Sequence, residues 1–207
     1  MTPPPSAQDI LLFWFGPRPY TAAGVQQHSR LWFGEVDAPE LIPQTDELIR
    51  ERYAEVTLAA EQGQLAGWES SPRRRLALIL LLDQFSRNIY RDNARAFAQD
   101  LKALSLTVSG MQVGADATLD PVERLFFYMP LMHAESLEVQ EESVAASRRL
   151  LEEAPTALRD TFQSNLEYAM HHRDTIERFG RFPKRNQILG RESTPEELEW
   201  MASETGH

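Results

Sequence analysis

The chain has 207 residues, of which 42% are hydrophobic and 25% are charged, as expected for a globular protein with a sizeable core. Lys and Arg number 21 against 31 Asp and Glu, and the net charge of −10 disfavours nucleic acid or an anionic membrane as partner. The absence of cysteine excludes disulfides, a thiol nucleophile and cysteine-bound metals. The longest apolar run, Leu76 to Leu82, is too short to span a bilayer, and no secretory signal precedes it, so we expect a soluble, cytoplasmic protein.

Signals for helix starts and stops recur along the whole chain, whereas strand patterns are nearly absent. This predicts an all-α fold of about nine helices in a single domain, 1–207, with disordered ends at 1–5 and 202–207. The predicted helices cover residues 10–15, 24–33, 46–62, 72–90, 92–110, a helix from 121 that Pro130 kinks or ends, 136–153, 156–179 and 194–200.

Positive charge is concentrated in two segments of this acidic chain. From Arg73 to Arg95 there are six Arg and two Asp, and from His171 to Arg191 there are six Lys and Arg and two acids, so each segment has a net charge of +4. Segregated charge of this kind can attract an anionic ligand. The alternative is that these helices neutralise the acidic stretches 35–61 and 135–153 within the fold.

Helical-wheel geometry places Arg173 within the apolar stripe of the predicted helix 156–179. We therefore expect its guanidinium to point inward and to find a carboxylate or carbonyl partner there. The same geometry places His172 at the rim of the stripe, as a candidate site residue, and directs His171 to solvent.

Two further segments carry polar groups in apolar surroundings. Asp83 and Arg87 are spaced for a helical ion pair, and Arg87, Asn88 and Arg91 are either structural or bind a carboxylate or phosphate group. His133 and Glu135 follow Pro130, and they share a ligand only if the backbone there is irregular.

Signature motifs of well-known enzyme classes are missing from the sequence. The chain lacks H-E-x-x-H, G-x-S-x-G, G-x-G-x-x-G and Walker A segments. The His-Ala-Glu sequence at 133–135 matches half of a zinc-deaminase signature, but the absence of cysteine excludes that class.

Five segments together resemble one family: the Phe-Trp-Phe-Gly helix at 9–16, Trp32-Phe33, Leu-Asp-Gln-Phe-Ser-Arg-Asn at 82–88, Phe-Tyr-Met-Pro-Leu-Met-His-Ala-Glu at 127–135, and 172–191 with Arg-Phe-Gly-Arg-Phe-Pro. They resemble the bacterial domain-of-unknown-function family numbered 924 over roughly residues 9 to 200. The resemblance implies tetratricopeptide-like antiparallel helix pairs in a right-handed superhelix and no established activity. The family pattern has Pro where this chain has Ser86, Ser where it has Ala134, and often His where it has Lys184. These differences disfavour a mechanism that needs a hydroxyl directly after His133 or an imidazole at position 184.

Two main functional hypotheses follow, and neither specifies a cofactor or an oligomeric state. The first is a binding module whose groove holds an anionic small molecule or acidic peptide, with candidate ligand-binding residues Asp83, Arg87, Asn88, Arg91, Arg173, Arg178, Arg181, Arg185 and Asn186, together with His172. The second is an enzyme using acid–base groups, or an N/O metal site, drawn from His133, Glu135, His172 and Asp174. A purely structural role for the polar residues is the third alternative.

Overall fold

The computed structural model describes residues 4–34 and 37–203, and its regular secondary structure is entirely helical. This confirms the predicted all-α fold. Nine α-helices lie in the described ranges: α1 Ala7–Phe15, α2 Ala22–Phe33, α3 Leu41–Glu61, α4 from Pro72 to Ile89, α5 Asp100–Gln112, α6 Pro121–Met132, α7 Leu137–Glu153, α8 Arg159–Phe179 and α9 Pro195–Ser203. Helix α4 consists of Pro72–Leu80, a π-helical turn Leu81–Phe85 and a last α-helical turn Ser86–Ile89.

Several helix ends carry capping residues that fix where the helix begins or ends. Ser6 and Asp9 form a capping box at the start of α1, and Asp120 and Glu123 form another at the start of α6. Helix α8 ends at Gly180, whose φ of +68° is the left-handed conformation that favours glycine.

Other boundaries differ from the prediction. Helix α5 begins at Asp100, not at residue 92 or 93, because Asn93 caps a short 3₁₀ turn, Ala94–Phe97, that the chain must leave before α5 can start. Helix α3 begins at Leu41, since a proline at residue 43 is tolerated in a first turn. Helix α9 includes residues 202 and 203 of the predicted tail, and residues 1–3 and 204–207 lie outside the described ranges.

Helix α4 is the centre of the fold. Its residues 76–82 are at most 2% exposed, and the helix contacts α1, α3, α5 and α6. Buried apolar residues from α1 through α8 form one continuous cluster, as expected for a single domain, which stays a prediction. No helix of the described chain is long and apolar enough to cross a bilayer.

Helices α5 and α6 approach each other closely where Gly110 faces Phe127. A Cβ atom on Gly110 would lie 2.5 Å from Phe127 Cζ, so a larger residue would push the helices apart. Thr107 Oγ1 also donates a hydrogen bond of 2.8 Å to the Phe127 carbonyl. These contacts fix the position of α5 relative to α6.

The second half of the chain packs in sequence order, α6 on α7 and α7 on α8, through short connections. Short connections are typical of antiparallel neighbours. The tetratricopeptide-like superhelix implied by the family resemblance stays a prediction.

Candidate functional site

The π-helical turn Leu81–Phe85 interrupts the buried helix α4 and contains Asp83. In this turn the carbonyl of Leu81 accepts hydrogen bonds from both the backbone N–H and the hydroxyl of Ser86, the latter at 3.0 Å. Single π-helical turns within α-helices occur frequently at functional sites. The turn therefore makes Asp83 a candidate site residue.

The carboxylate of Asp83 is fully buried and is bonded by three side chains. Its Oδ1 lies 2.7 Å from His133 Nδ1 and 3.1 Å from Arg87 Nη1, and its Oδ2 accepts a 2.6 Å hydrogen bond from Gln84 Nε2. Burial alone would raise the pKa of Asp83, but the charges of Arg87 and His133 outweigh burial and hold that pKa well below its usual range. The group is therefore an ionised carboxylate at neutral pH.

His133 directly follows α6, and its side chain is 15% exposed. Because a carboxylate only accepts, the proton of a neutral His133 lies on Nδ1, and the lone pair is on Nε2. Nε2 has no hydrogen-bond partner among residues 4–34 and 37–203. Burial, followed by the positive charge of Arg87, lowers the pKa of His133 despite the opposing effect of Asp83. The imidazole is thus neutral at pH 7 and able to accept a proton.

A cavity of about 360 Å³ lies beside His133, between the start of α5, the end of α6 and the segment 180–191. This size is within the range of small-molecule sites. Its walls are mainly apolar and comprise Ala94, Phe97, Ala98, Leu101, Leu104, Pro130, Ala134 and Leu189, with Asp100, His133, Glu135, Ser136 and Arg185 as the polar members.

Arg185 is fixed in this wall by both polar and aromatic contacts. Its Nη1 donates to Asp100 Oδ2 at 3.2 Å, and its Nη2 donates to the His133 carbonyl at 3.1 Å. Its Cζ lies 4.7 Å from the ring centre of Phe97 and 4.5 Å from that of Phe182. Burial, together with the nearby charge of Arg87, lowers the pKa of Arg185 to about 10, so the group stays cationic.

Arg87 connects the Asp83–His133 pair to Asp100. One of its nitrogens contacts Asp83, and Nη2 lies 3.0 Å from Asp100 Oδ1. Burial raises the pKa of Asp100 above its usual value, against the effect of Arg87. Asp83, Arg87 and Asp100 thus connect α4 to the start of α5.

Glu135 holds the segment 180–191 over the site. It accepts two hydrogen bonds from Arg191, at 2.7 and 2.9 Å, and one from the backbone N–H of Phe182 at 2.8 Å. Burial opposes the shift, but Arg191 and the Phe182 amide lower the pKa of Glu135. Glu135 is therefore an anchor for this segment, and the backbone at 133–135 is irregular enough for His133 and Glu135 to border one cavity.

His172, by contrast, lies in the wall of a neighbouring groove of about 630 Å³, which also includes His171, Lys184 and Trp200. Its Nδ1 is hydrogen-bonded to the Tyr168 carbonyl at 2.8 Å, so it has a backbone partner. Burial, with a smaller effect of His133, lowers the pKa of His172 to about 4.

The predicted inward direction of Arg173 is wrong. Its guanidinium is part of a solvent-facing cluster with Glu141 at 2.8 Å, Asp174 at 2.8 Å and Glu177 at 2.9 Å. The helical wheel gives only the direction of the Cβ atom. From there the long side chain of Arg173 extends to the edge of the helix interface, where its carboxylate partners are exposed to solvent. Arg173 and the predicted catalytic candidate Asp174 therefore lie away from the cavity.

The remaining predicted ligand-binding residues pair with acids elsewhere. Asn88 and Arg91 both bond Asp46 of α3, the former at 2.8 Å. Arg178 pairs with Glu196 at 2.9 Å.

A third group surrounds Glu197 of α9. Arg181 donates to it twice, at 2.7 and 2.8 Å, and Asn186 donates at 3.2 Å. The Arg181 hydrogen bonds lower the pKa of Glu197 to about 2 despite some opposing burial. The nine predicted residues thus do not line one groove.

The sequence interpretation missed Asp100, Gln84, Phe97 and Arg191, all of which contact the site. Arg191 and Gln84 lie within the family-like segments, which could have indicated them. Asp100 carries no such signal, because the predicted helix 92–110 places it in mid-helix. Within the described chain, no three His, Asp or Glu side chains are grouped in a way that could hold a metal ion.

Fold and site together define the class of this protein. It is an all-helical protein with a buried Asp–His pair beside a small cavity. The chain belongs to the family of bacterial proteins of unknown function DUF924, whose model matches residues 10–205. This chain is also similar to the solved structure of a protein of unknown function from Agrobacterium tumefaciens. The two share 33% sequence identity, 97% of each chain is covered, and the TM-score is 0.77. A search of curated proteins finds no match.

Proposed function

We propose that this protein is an enzyme in which His133, oriented by Asp83, acts as a general base on a small uncharged substrate in the 360 Å³ cavity. One observation carries the proposal. The imidazole that borders the cavity bonds a buried carboxylate through Nδ1, and its Nε2 has no partner within the described ranges.

The pair supplies proton transfer in the following way. A substrate hydroxyl or a water molecule within hydrogen-bond reach of Nε2 gives up its proton to His133. The imidazolium that forms is stabilised by the ionised Asp83, which keeps its own charge throughout. The same proton then returns from Nε2 to the leaving group. Asp83 acts here as a positioning residue.

Charge balance at the site favours an uncharged substrate over the anionic ligand expected from the sequence. Asp100, Glu135 and Arg185 line the cavity, and ion pairs connect them to Arg87, Asp83 and Arg191 outside the lining, so three arginines and three acids neutralise one another. A surplus of unpaired cations is what an anion-binding site needs, and these arginines are paired.

A binding module without catalysis is the second candidate, and the same cavity supports it. Its apolar walls suit a ligand with an apolar body and one or two polar groups. The two candidates differ in whether the base at His133 is required for turnover.

The test uses p-nitrophenyl esters of acetate to hexanoate with wild-type protein and His133→Asn. Asparagine places an amide nitrogen near the position of Nδ1, so it keeps a donor to Asp83 but removes the base. We expect His133→Asn to lower the rate by about 100-fold or more, the usual contribution of a general base.

The matched control is His172→Asn, which alters another half-buried histidine and keeps its donor to the Tyr168 carbonyl. This variant should retain the wild-type rate. Equal rates in wild-type protein and His133→Asn would contradict the proposal, and ligand binding in the cavity without such turnover would favour the binding module.

A further inference from the structure

Arg185 is held at the cavity with part of its hydrogen-bonding capacity unused by the described residues. A guanidinium has five N–H groups, and within residues 4–34 and 37–203 Arg185 forms two hydrogen bonds, to Asp100 and to the His133 carbonyl. Arg191, by contrast, bonds Glu135 through two parallel hydrogen bonds, the arrangement in which an arginine is most fully engaged by one carboxylate. Arg185 makes one bond to a carboxylate that it shares with Arg87.

Two aromatic rings contact the Arg185 guanidinium and restrict its orientation. Phe97 and Phe182 lie within 5 Å of its Cζ, at 4.7 and 4.5 Å, and the side chain is 14% exposed. A cation held in this way needs no reorganisation when negative charge develops beside it, which is the requirement for electrostatic stabilisation of a transition state. Arg185 and His133 border the same cavity and are joined by the bond to the His133 carbonyl.

We infer that Arg185 donates hydrogen bonds to the carbonyl oxygen of the substrate, and that the substrates are small uncharged carbonyl compounds such as esters, amides or lactones. The inference rests on the proposed function of His133. It assigns the group that stabilises the substrate carbonyl oxygen, while His133 accepts and returns the proton.

The step balances with water as the nucleophile. His133 Nε2 takes a proton from water, the water oxygen bonds to the carbonyl carbon, and the C=O electron pair moves to the oxygen that Arg185 bonds. When the C=O bond re-forms, the bond from carbon to the leaving group breaks, and the proton moves from His133 to that group.

The experiment compares acetophenone with α-methylstyrene, in which a CH₂ group replaces the carbonyl oxygen in a molecule of the same shape. Binding of each is measured by the chemical shifts of the Leu104 and Ala98 methyl groups in the cavity wall. We expect wild-type protein to prefer the ketone by about tenfold, as a hydrogen bond from a charged donor predicts.

The preference should vanish in Arg185→Met, which should still bind α-methylstyrene. It should be reduced in Arg185→Lys, which keeps the charge and provides a second test if the methionine variant does not fold. The His133→Asn protein should keep the preference. A preference that survives both Arg185 variants, or that His133→Asn abolishes equally, overturns the assignment, and so does the failure of acetophenone to bind in the cavity.

The outcomes separate the two proposals. A ketone preference that depends on Arg185, combined with ester hydrolysis that is unchanged in His133→Asn, would remove the general base and keep Arg185 as a ligand donor. Hydrolysis that requires His133 but not Arg185 would remove only the role of Arg185.

Discussion

Asp83 and Glu123 are both fully buried carboxylates that bond arginines, yet their surroundings differ in one respect. Glu123 is bonded by Arg18, Arg73, the hydroxyl of Tyr20 and the backbone N–H of Asp120. None of these donors is an imidazole. Asp83 bonds His133, which in turn borders a cavity.

This difference separates a structural cluster from a candidate site. Burial and the charge of Glu123 raise the pKa of Tyr20 to about 12, so this phenol keeps its proton at neutral pH. The cluster therefore joins the loop after α1 to the start of α6 and transfers no proton. At Asp83 the chain of hydrogen bonds ends in a neutral imidazole, so buried charge alone does not identify a site.

The largest expected effect comes from the isosteric changes Glu123→Gln and Asp83→Asn. Each removes a charge from a buried carboxylate and leaves arginines with a weakened partner, so each should lower the free energy of unfolding by about 3 kcal/mol. Urea denaturation followed by circular dichroism measures this loss.

The two variants should differ at His133. Asp83→Asn should change the tautomer of His133, as seen in the ¹⁵N shifts of the imidazole, whereas Glu123→Gln should leave those shifts unchanged. The same imidazole spectrum in both variants would remove the distinction between the two carboxylates.

A second effect, of at most similar size, is the contribution of His172 to the pH dependence of the unfolding free energy. Above pH 6.5 His172 is neutral in the folded and unfolded chain; between about pH 6.5 and 4 the unfolded chain binds a proton that the folded chain does not, because burial lowers the folded pKa to about 4. The free energy of unfolding should therefore decrease as the pH falls through this window, by up to about 3 kcal/mol from His172.

His172→Asn measures this contribution, because the variant cannot bind the proton. Its unfolding free energy should decline less than that of wild-type protein between pH 6.5 and 4. His133, whose pKa burial also lowers, contributes equally in both proteins, and Asp83, with its lowered pKa, contributes only below about pH 4. Parallel pH profiles for the two proteins would contradict the assigned cause.

The sequence predicts local features of the site well and tertiary ones poorly. The capping residues and the Asp83–Arg87 spacing depend on neighbours within four residues, and the structure contains both. The contact of His133 with Asp83 joins residues 50 apart in the chain, so only the packing of α6 on α4 creates it. The position of Arg173 depends on acids at the edge of α7, which no periodicity of its own helix reveals.

The smallest effect tests the π-helical turn that distinguishes the Asp83 region from the regular start of α6. Ser86→Ala removes the hydroxyl bond to the Leu81 carbonyl, but that carbonyl keeps the Ser86 N–H, so no buried group is left unpaired. We expect a loss of about 1 kcal/mol, with faster amide exchange confined to the turn.

The matched control is Ser143→Ala, because the Ser143 hydroxyl is equally buried and has no hydrogen-bond partner in the described part of the chain. Removing an unpaired buried hydroxyl should leave stability unchanged or raise it by up to about 1 kcal/mol. Equal losses in the two variants would mean that the cost reflects packing alone. A larger loss in Ser86→Ala, with exchange altered at Asp83 and Gln84, would mean that this hydroxyl maintains the turn that positions the carboxylate.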